Sequence, residues 1–208
     1  MKVYTPVSLG SILRQTSNTP PLAIHNKDAY TRAHLAILAK RFHLPLPPES
    51  PPGFPGNTSL IGRVLSVLAR DPDTYTPDKI DADGNEYPFE PLLPLALRTL
   101  WEGYWGASDD SILERGRLVE ILTWVLRSEA RAEELVSKGE EEEAKEMLKK
   151  ETSIAVEKGA FGLPWMVARN DKGVEKGFFG VDHMGIMGDW LGRTCESEEG
   201  VNAWRALL

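Results

Sequence analysis

The chain has 208 residues, 41% hydrophobic and 26% charged, with a formal net charge of −7 at pH 7, which suits one globular core or a domain with a large insertion. The acidic balance argues against non-specific nucleic-acid binding, which needs Lys and Arg to neutralise phosphates, and no run approaches the roughly 20 apolar residues of a membrane helix. The single cysteine, Cys195, excludes an internal disulfide and a C-x-x-C redox pair and favours a reducing, intracellular setting.

Met1 to Tyr4 resembles neither a signal peptide nor an Arg-rich transit peptide. Val3 to Leu9 is β-rich and predicts a strand, with Pro6 suited to an edge or a bulge. The chain continues into the polar loop Gln15 to Pro21, where Asn18 sits in a proline-stiffened turn and is read most simply as an Asn capping that turn. Asn26 or Asp28 can cap a helix whose apolar face is Tyr30, Ala33, Leu35, Ile37 and Leu38, stopped at Leu44-Pro45. Pro45 to Pro55 is irregular, and Thr58 or Ser59 caps a short apolar helix, Leu60 to Ala69. Asp71 to Phe89 is a long acidic loop.

Glu90 to Tyr104 carries too many apolar residues for a surface helix and predicts a buried one, with Pro91 and Pro94 in its first turn or kinking it. Asp109 or Asp110 caps a further helix through Leu126, weakened at Gly116. The run Gly139 to Lys150 places acids first and bases last, the order a helix macrodipole favours, and reads as one solvated helix continuing to Gly159. Strand-like material therefore sits at both ends with helix and loop between, the signature of an α/β domain, residues 1–25 and 159–208, holding a helical insertion, residues 26–158.

The C-terminal unit is the informative part. Gly159-Ala160-Phe161-Gly162-Leu163-Pro164 joins a helix to the strand-like run Trp165 to Val167. The turn Asn170-Asp171-Lys172-Gly173 leads to a second strand, Lys176 to Gly180, and Asp182 is a candidate helix cap. A cis Leu163-Pro164 bond would turn the Leu163 N–H and C=O away from the sheet and free them for an extended peptide; on base rate alone a trans edge proline is the simpler reading. Asp182 with backbone N–H groups at a helix entry suits an α-amino acid head group, or is a plain cap. His25, His34, His43 and His183 have no zinc spacing. No G-x-S-x-G, P-loop or G-x-G-x-x-G pattern occurs. Cys195, near Trp190 and Leu191 and without a paired His, reads as a core or semi-exposed thiol.

Taken in order, these segments resemble the kappa-class glutathione transferases, whose DsbA-like, thioredoxin-type fold also includes 2-hydroxychromene-2-carboxylate isomerases. The resemblance is carried by Gly159-Ala160-Phe161-Gly162-Leu163-Pro164, similar to a G-A-F-G-L/V-P segment with a cis proline, and by Phe179-Gly180-Val181-Asp182-His183-Met184, similar to F-G-x-D-R-M/L. Ser17-Asn18-Thr19-Pro20-Pro21 with Lys27 matches a G-N-x-P-P turn more weakly. It implies a thioredoxin-like α/β domain with an all-helical insertion, binding glutathione as co-substrate and a small hydrophobic electrophile as a homodimer, without metal, nucleic acid or membrane. By the same resemblance Leu163 and Pro164 present the cysteinyl part of glutathione and Val181, Asp182 and His183 hold its γ-glutamyl head. Asn18 and Lys27 reach toward the glycyl or cysteinyl end. His183 stands where the family carries arginine, so a fixed positive charge becomes conditional on pH.

The family's opening strand and helix, with an S-P-Y/W motif whose serine stabilises the glutathione thiolate, has no match in Met1 to Leu13. The expectation is a chain beginning at the family's second strand, most simply because an upstream segment is missing, otherwise because a partner supplies the strand or the protein is a degenerate relative. A free thiol has a pKa near 8.5, so without such a donor only a small fraction is thiolate at neutral pH. The implied activity is conjugation of glutathione to electrophiles or reduction of peroxides, impaired without that serine. The alternatives are a non-catalytic glutathione-binding or oligomerisation remnant, or an isomerase of the chromene-carboxylate type.

Overall fold

The structure is a computed structural model describing residues 3–47, 49–71 and 91–192. All of the expected acidic loop except Asp71 lies outside the described residues, as does Cys195. In chain order the helices are α1 (Leu9–Gln15), α2 (Lys27–Arg41), α3 (Ser59–Leu68), α4 (Leu92–Trp101), α5 (Arg115–Leu126), α6 (Glu129–Glu140) and α7 (Glu142–Glu157). Strands β1 (Trp165–Arg169) and β2 (Glu175–Phe179) and helix α8 (Met184–Trp190) follow. The chain divides into two compact units, Met1–Val7 with Pro21–Glu151, and Ser8–Pro20 with Thr152–Leu208.

The first unit is helical, and its core lies where α3, α4, α5 and α6 meet. Val64, Leu68, Leu93, Ala96, Leu118, Leu122 and Val136 are all at most 1% exposed. The apolar density of Leu92 to Tyr104 does produce a buried helix, with Pro91 just before it and Pro94 in its first turn, where no intrahelical N–H is missed. That helix passes into a single π-turn, Glu102–Gly106, which carries the buried Tyr104. Asp109 accepts from the Ser111 N–H and starts a 3-10 turn, Asp110–Leu113, so the expected helix is divided at Glu114, ahead of Gly116.

Three details differ from the sequence reading. The acceptor at the start of α3 is Asn57 Oδ1, 3.1 Å from the Ser59 N–H, rather than a Thr58 or Ser59 side chain. The acid-first run is two helices, because Glu141 leaves the helical region at ψ 155° between α6 and α7. Its Glu-Lys pairs Glu142–Lys145 and Glu146–Lys149 form as expected on exposed faces. In α2 the apolar residues do not define a buried face: Tyr30, Leu35 and Ile37 are 67%, 41% and 63% exposed. At about 100° per residue Ile37 lies within roughly 20° of Tyr30 and Leu35 roughly 140° away, so the exposed apolar residues do not share one face.

The second unit holds α1, the end of α7, the hairpin and α8. The strand expected over Val3 to Leu9 is absent: Val3 to Ser8 has no regular structure and Leu9 begins a helix. Strand-prone residues need a neighbouring strand to satisfy their backbone, and none runs beside this segment among the described residues. Pro6 has no N–H to give, the Ser8 N–H goes to the buried Thr152 Oγ1 at 3.0 Å, and the Ser8 side chain accepts from the Ser11 N–H to cap α1.

The sheet formed by the described residues is the antiparallel pair β1–β2, in register from Trp165 opposite Phe179 to Arg169 opposite Glu175. Asn170 closes the loop: its Oδ1 accepts from the Lys172 and Val174 N–H groups at 3.1 and 3.0 Å, and Gly173 adopts φ +75°. Next to that loop Arg169 hydrogen-bonds Glu175 at 2.7 Å and the Lys158 ammonium stands 3.7 Å from the same carboxylate, which holds the Glu175 carboxyl below the usual glutamate range. A carboxyl with a lowered folded value contributes stability above its unfolded titration range and loses it as pH falls through the folded midpoint. In an NMR titration the Glu175 midpoint is therefore expected below the ordinary glutamate value, and Arg169→Ala is expected to raise it. A wild-type midpoint at the ordinary glutamate value refutes the pairing. The pair is solvent-exposed, so the effect on melting temperature is expected to be small.

Candidate functional site

The site is built around the cis Leu163–Pro164 peptide, and the ends of α1 and α7 set it up. Each helix ends in a Schellman motif, in which a left-handed residue lets the last carbonyls find donors. In α7 that residue is Gly159 at φ +93°; the Gly159 N–H donates to Val156 at 2.8 Å and the Ala160 N–H to Ala155 at 2.9 Å. In α1 it is Ser17 at φ +53°, with the Ser17 N–H reaching Arg14 at 3.4 Å and the Asn18 N–H reaching Leu13 at 2.9 Å. The Asn18 side chain then spans from one helix end to the other: its Nδ2 donates to the Phe161 carbonyl at 2.8 Å.

Past Phe161 the loop is shaped by aromatic packing. The Phe161 ring lies 4.6 Å from Phe179 and 5.8 Å from Trp165, centroid to centroid. Gly162 is buried beneath this cluster, where a Cβ would stand 2.8 Å from Phe179 Cε2. The Pro164 carbonyl accepts from the Gly180 N–H at 3.0 Å, which sets the proline beside the end of β2. Leu163 is half-buried, and among the described residues no hydrogen bond engages its N–H or C=O. An extended ligand can therefore pair with the backbone there.

Gly180, at φ +81°, turns the chain into a 3-10 turn, Val181–His183, which leads into α8. Val181 is 48% exposed, and the Asp182 and His183 side chains are 68% and 45% exposed. Asp182 is not the helix cap expected from sequence: it accepts no capping hydrogen bond, and α8 starts only at Met184. Its carboxylate instead folds over Gly180, where a Cβ would meet Asp182 Oδ1 at 2.3 Å. Its Oδ2 is 3.5 Å from His183 Nδ1, an ion-pair distance without hydrogen-bond geometry, so Nδ1 is buried with no bonded partner. The carboxylate is thus exposed and free of backbone donors.

Of the residues expected to bind ligand, Asn18, Leu163, Pro164, Val181, Asp182 and His183 fall in this unit, and Lys27 opens α2 in the other. Sequence reasoning missed Trp165, Gly177 and Phe179, which support the loop from below, and Lys176, whose ammonium lies 5.1 Å from the Trp190 ring centroid. The strand alternation around Gly177 is the signal that could have paired it with a large residue on β1. Among the described residues no group of three or more His, Cys, Asp or Glu is placed to hold a metal, and no helix is long and apolar enough to cross a membrane.

The DSBA-like thioredoxin domain family matches residues 93–190, the span that runs from α4 through the cis-proline loop and the hairpin to the end of α8. This stretch of the chain is similar to that domain, and the fold is the corresponding mixed α/β one, rich in helix. Over most of its length the chain is also similar to proteins named as kappa-class glutathione transferases. It is 28% identical over 193 residues to "Glutathione S-transferase kappa 1" of Caenorhabditis elegans, covering 90% of this chain and 76% of that protein. The proteins of the same name from Rattus norvegicus and Homo sapiens are 28% and 29% identical over 187 residues, with the same coverage.

Proposed function

We propose that this chain binds glutathione on the face formed by Leu163, Pro164 and Val181 to His183, and that it is a kappa-type glutathione transferase, joining the glutathione thiolate to small electrophiles or reducing peroxides. The observation that carries the reading is the bond from the Gly180 N–H to the Pro164 carbonyl. It sets a backbone with free hydrogen-bonding groups at Leu163 beside an exposed carboxylate at Asp182. Glutathione is an extended tripeptide with an α-amino acid head at one end. The Leu163 N–H and C=O pair with its cysteinyl unit, as a strand pairs with a neighbour, and Asp182 receives the head-group ammonium in a charge-assisted bond. His183 beside it faces the head-group carboxylate. The sequence similarity to proteins named for this activity supports the same reading. The reading uses residues of the second unit alone.

Calorimetric titration of the chain with reduced glutathione tests the binding step. Asp182→Ala is expected to weaken affinity about 10- to 100-fold, the effect of losing one charge-assisted hydrogen bond. No binding by the wild type, or affinity unchanged in the variant, overturns the assignment. Turnover of 1-chloro-2,4-dinitrobenzene tests the chemical step, and binding without turnover would reject the transferase while leaving the glutathione site standing.

A further inference from the structure

We propose that His183 makes recognition of the ligand's head-group carboxylate depend on a proton: charged, it presents an N–H donor to that carboxylate, and neutral, it presents a lone pair. This rests on the glutathione reading above and adds to it a dependence on pH. The two ring nitrogens lie in different surroundings. Nδ1 is buried, has no hydrogen-bond partner and stands 3.5 Å from Asp182 Oδ2. The side chain as a whole is half-exposed, and among the described residues no hydrogen bond engages Nε2. Nε2 is therefore the nitrogen that a ligand meets.

A bare lone pair on Nδ1 would confront a carboxylate from a buried position, which costs more than placing a hydrogen there. Asp182 thus keeps the neutral ring's single hydrogen on Nδ1, and Nε2 is left as an acceptor. A carboxylate brought to an acceptor is repelled. Protonation adds a hydrogen at Nε2 and a positive charge to the ring, and the same contact becomes a charge-assisted hydrogen bond. The ionisable side chains of the adjoining elements do not supply this charge in its place. On β2, Glu175 is engaged by Arg169 and Lys158, and the Lys176 ammonium lies over the Phe178 and Trp190 rings. Asp189 on α8 makes no ion pair with His183, whose ion-pairing carboxylate among the described residues is Asp182. An α-amino acid head carries an ammonium beside a carboxylate, and ionised Asp182 beside protonated His183 offers the complementary charges. Asp182 can serve both neighbours, because its Oδ1 stands over Gly180 while its Oδ2 is the oxygen near His183.

Calorimetric titration of the whole chain with reduced glutathione, from about pH 5.5 to about pH 8 where an imidazole changes charge, tests this. The wild-type Kd is expected to rise about 3- to 10-fold across that range, the scale of a partly exposed charged hydrogen bond. His183→Arg, with a fixed charge, is expected to bind with a low Kd throughout, and His183→Ala with a high one. A pH trend shared by both variants belongs to the ligand and is subtracted. The wild type is also expected to take up protons on binding near neutral pH, read as an apparent enthalpy that changes with the ionisation enthalpy of the buffer. This second readout needs no variant, and a purely structural role for His183 would not produce it. A wild-type Kd that is flat after subtraction, or proton uptake that persists in His183→Arg, overturns the proposal and leaves the glutathione site standing. Affinity that improves as pH rises also overturns it, because protonated His183 would then be competing with the ligand ammonium for Asp182. No binding by the wild type at any pH overturns the glutathione reading and this proposal together.

Discussion

Leu118→Ala is expected to lower the stability of the helical unit by about 2–5 kcal/mol, through lost burial and the cavity left behind. Leu118 is fully buried and lies on α5, which contributes more residues to the core than any other described helix: Leu118, Val119, Ile121, Leu122, Val125 and Leu126 are all at most 9% exposed. A helix enclosed on several sides cannot move to refill a hole without unpacking another contact, so the upper part of that range is expected. Trp124, on the same helix, is the informative control. By size it is the most hydrophobic residue there, yet it is 50% exposed and its visible partner is the Arg127 guanidinium, 5.0 Å from its ring centroid. Trp124→Ala is therefore expected to cost only about 1 kcal/mol, the scale of an exposed cation–π contact and partial burial. Denaturant unfolding followed by circular dichroism reads both, with a lower midpoint and unchanged slope expected for Leu118→Ala. Equal losses in the two variants would show that the core is not organised around α5.

This contrast also marks what could be read without coordinates. The helices that form the core were legible because apolar density alone forces burial, as in Leu92 to Leu100 and Leu118 to Leu126. Where structure depends on a neighbour instead, the residues mislead. Val3 to Leu9 has the composition of a strand, but composition does not supply a second strand, and the Ser8 side chain and Thr152 hydroxyl decide the outcome in favour of coil and α1. The break at Glu141 has no glycine or proline to announce it. Asp182 has the type and place of a cap, yet a 3-10 turn intervenes and the helix starts too late for its carboxylate to reach. In the site the motif segments at Gly159–Pro164 and Phe179–His183 stood out as sequence. Asn18 was legible as a turn residue and, by the resemblance, as a ligand contact, but its hydrogen bond to a carbonyl 143 positions away leaves no local trace.

The support beneath the loop was the least legible part, and Gly177→Val tests it. Strand propensity alone favours this change, since valine suits a strand better than glycine on a scale spanning about 1 kcal/mol. Packing opposes it: a Cβ on Gly177 would stand 2.2 Å from Trp165 Cζ2 and 2.8 Å from Cη2. The indole crosses from β1 over Gly177, the diagonal neighbour of its partner Phe179. It cannot simply swing aside. Trp165 Cζ2 also lies 3.4 Å from the ideal Cβ position of Gly159, and its ring packs edge-on against Phe161. Overpacking of this kind costs about 1–3 kcal/mol, which exceeds the propensity gain, so net destabilisation is expected, at about 2–4 °C of melting temperature per kcal/mol for a chain of this size. Displacing the indole also moves Phe161, whose carbonyl Asn18 holds and whose neighbours carry Leu163. Glutathione affinity is therefore expected to fall together with stability, although position 177 offers the ligand no group of its own. Combining Gly177→Val with Trp165→Leu separates the causes, because a smaller residue on β1 leaves room for the new methyls. The double variant is expected to be more stable than the sum of the two single changes predicts, a coupling of the kind found between residues in contact. Strict additivity would show that Trp165 does not depend on the glycine, and the aromatic support of the cis-proline loop would have to be sought elsewhere.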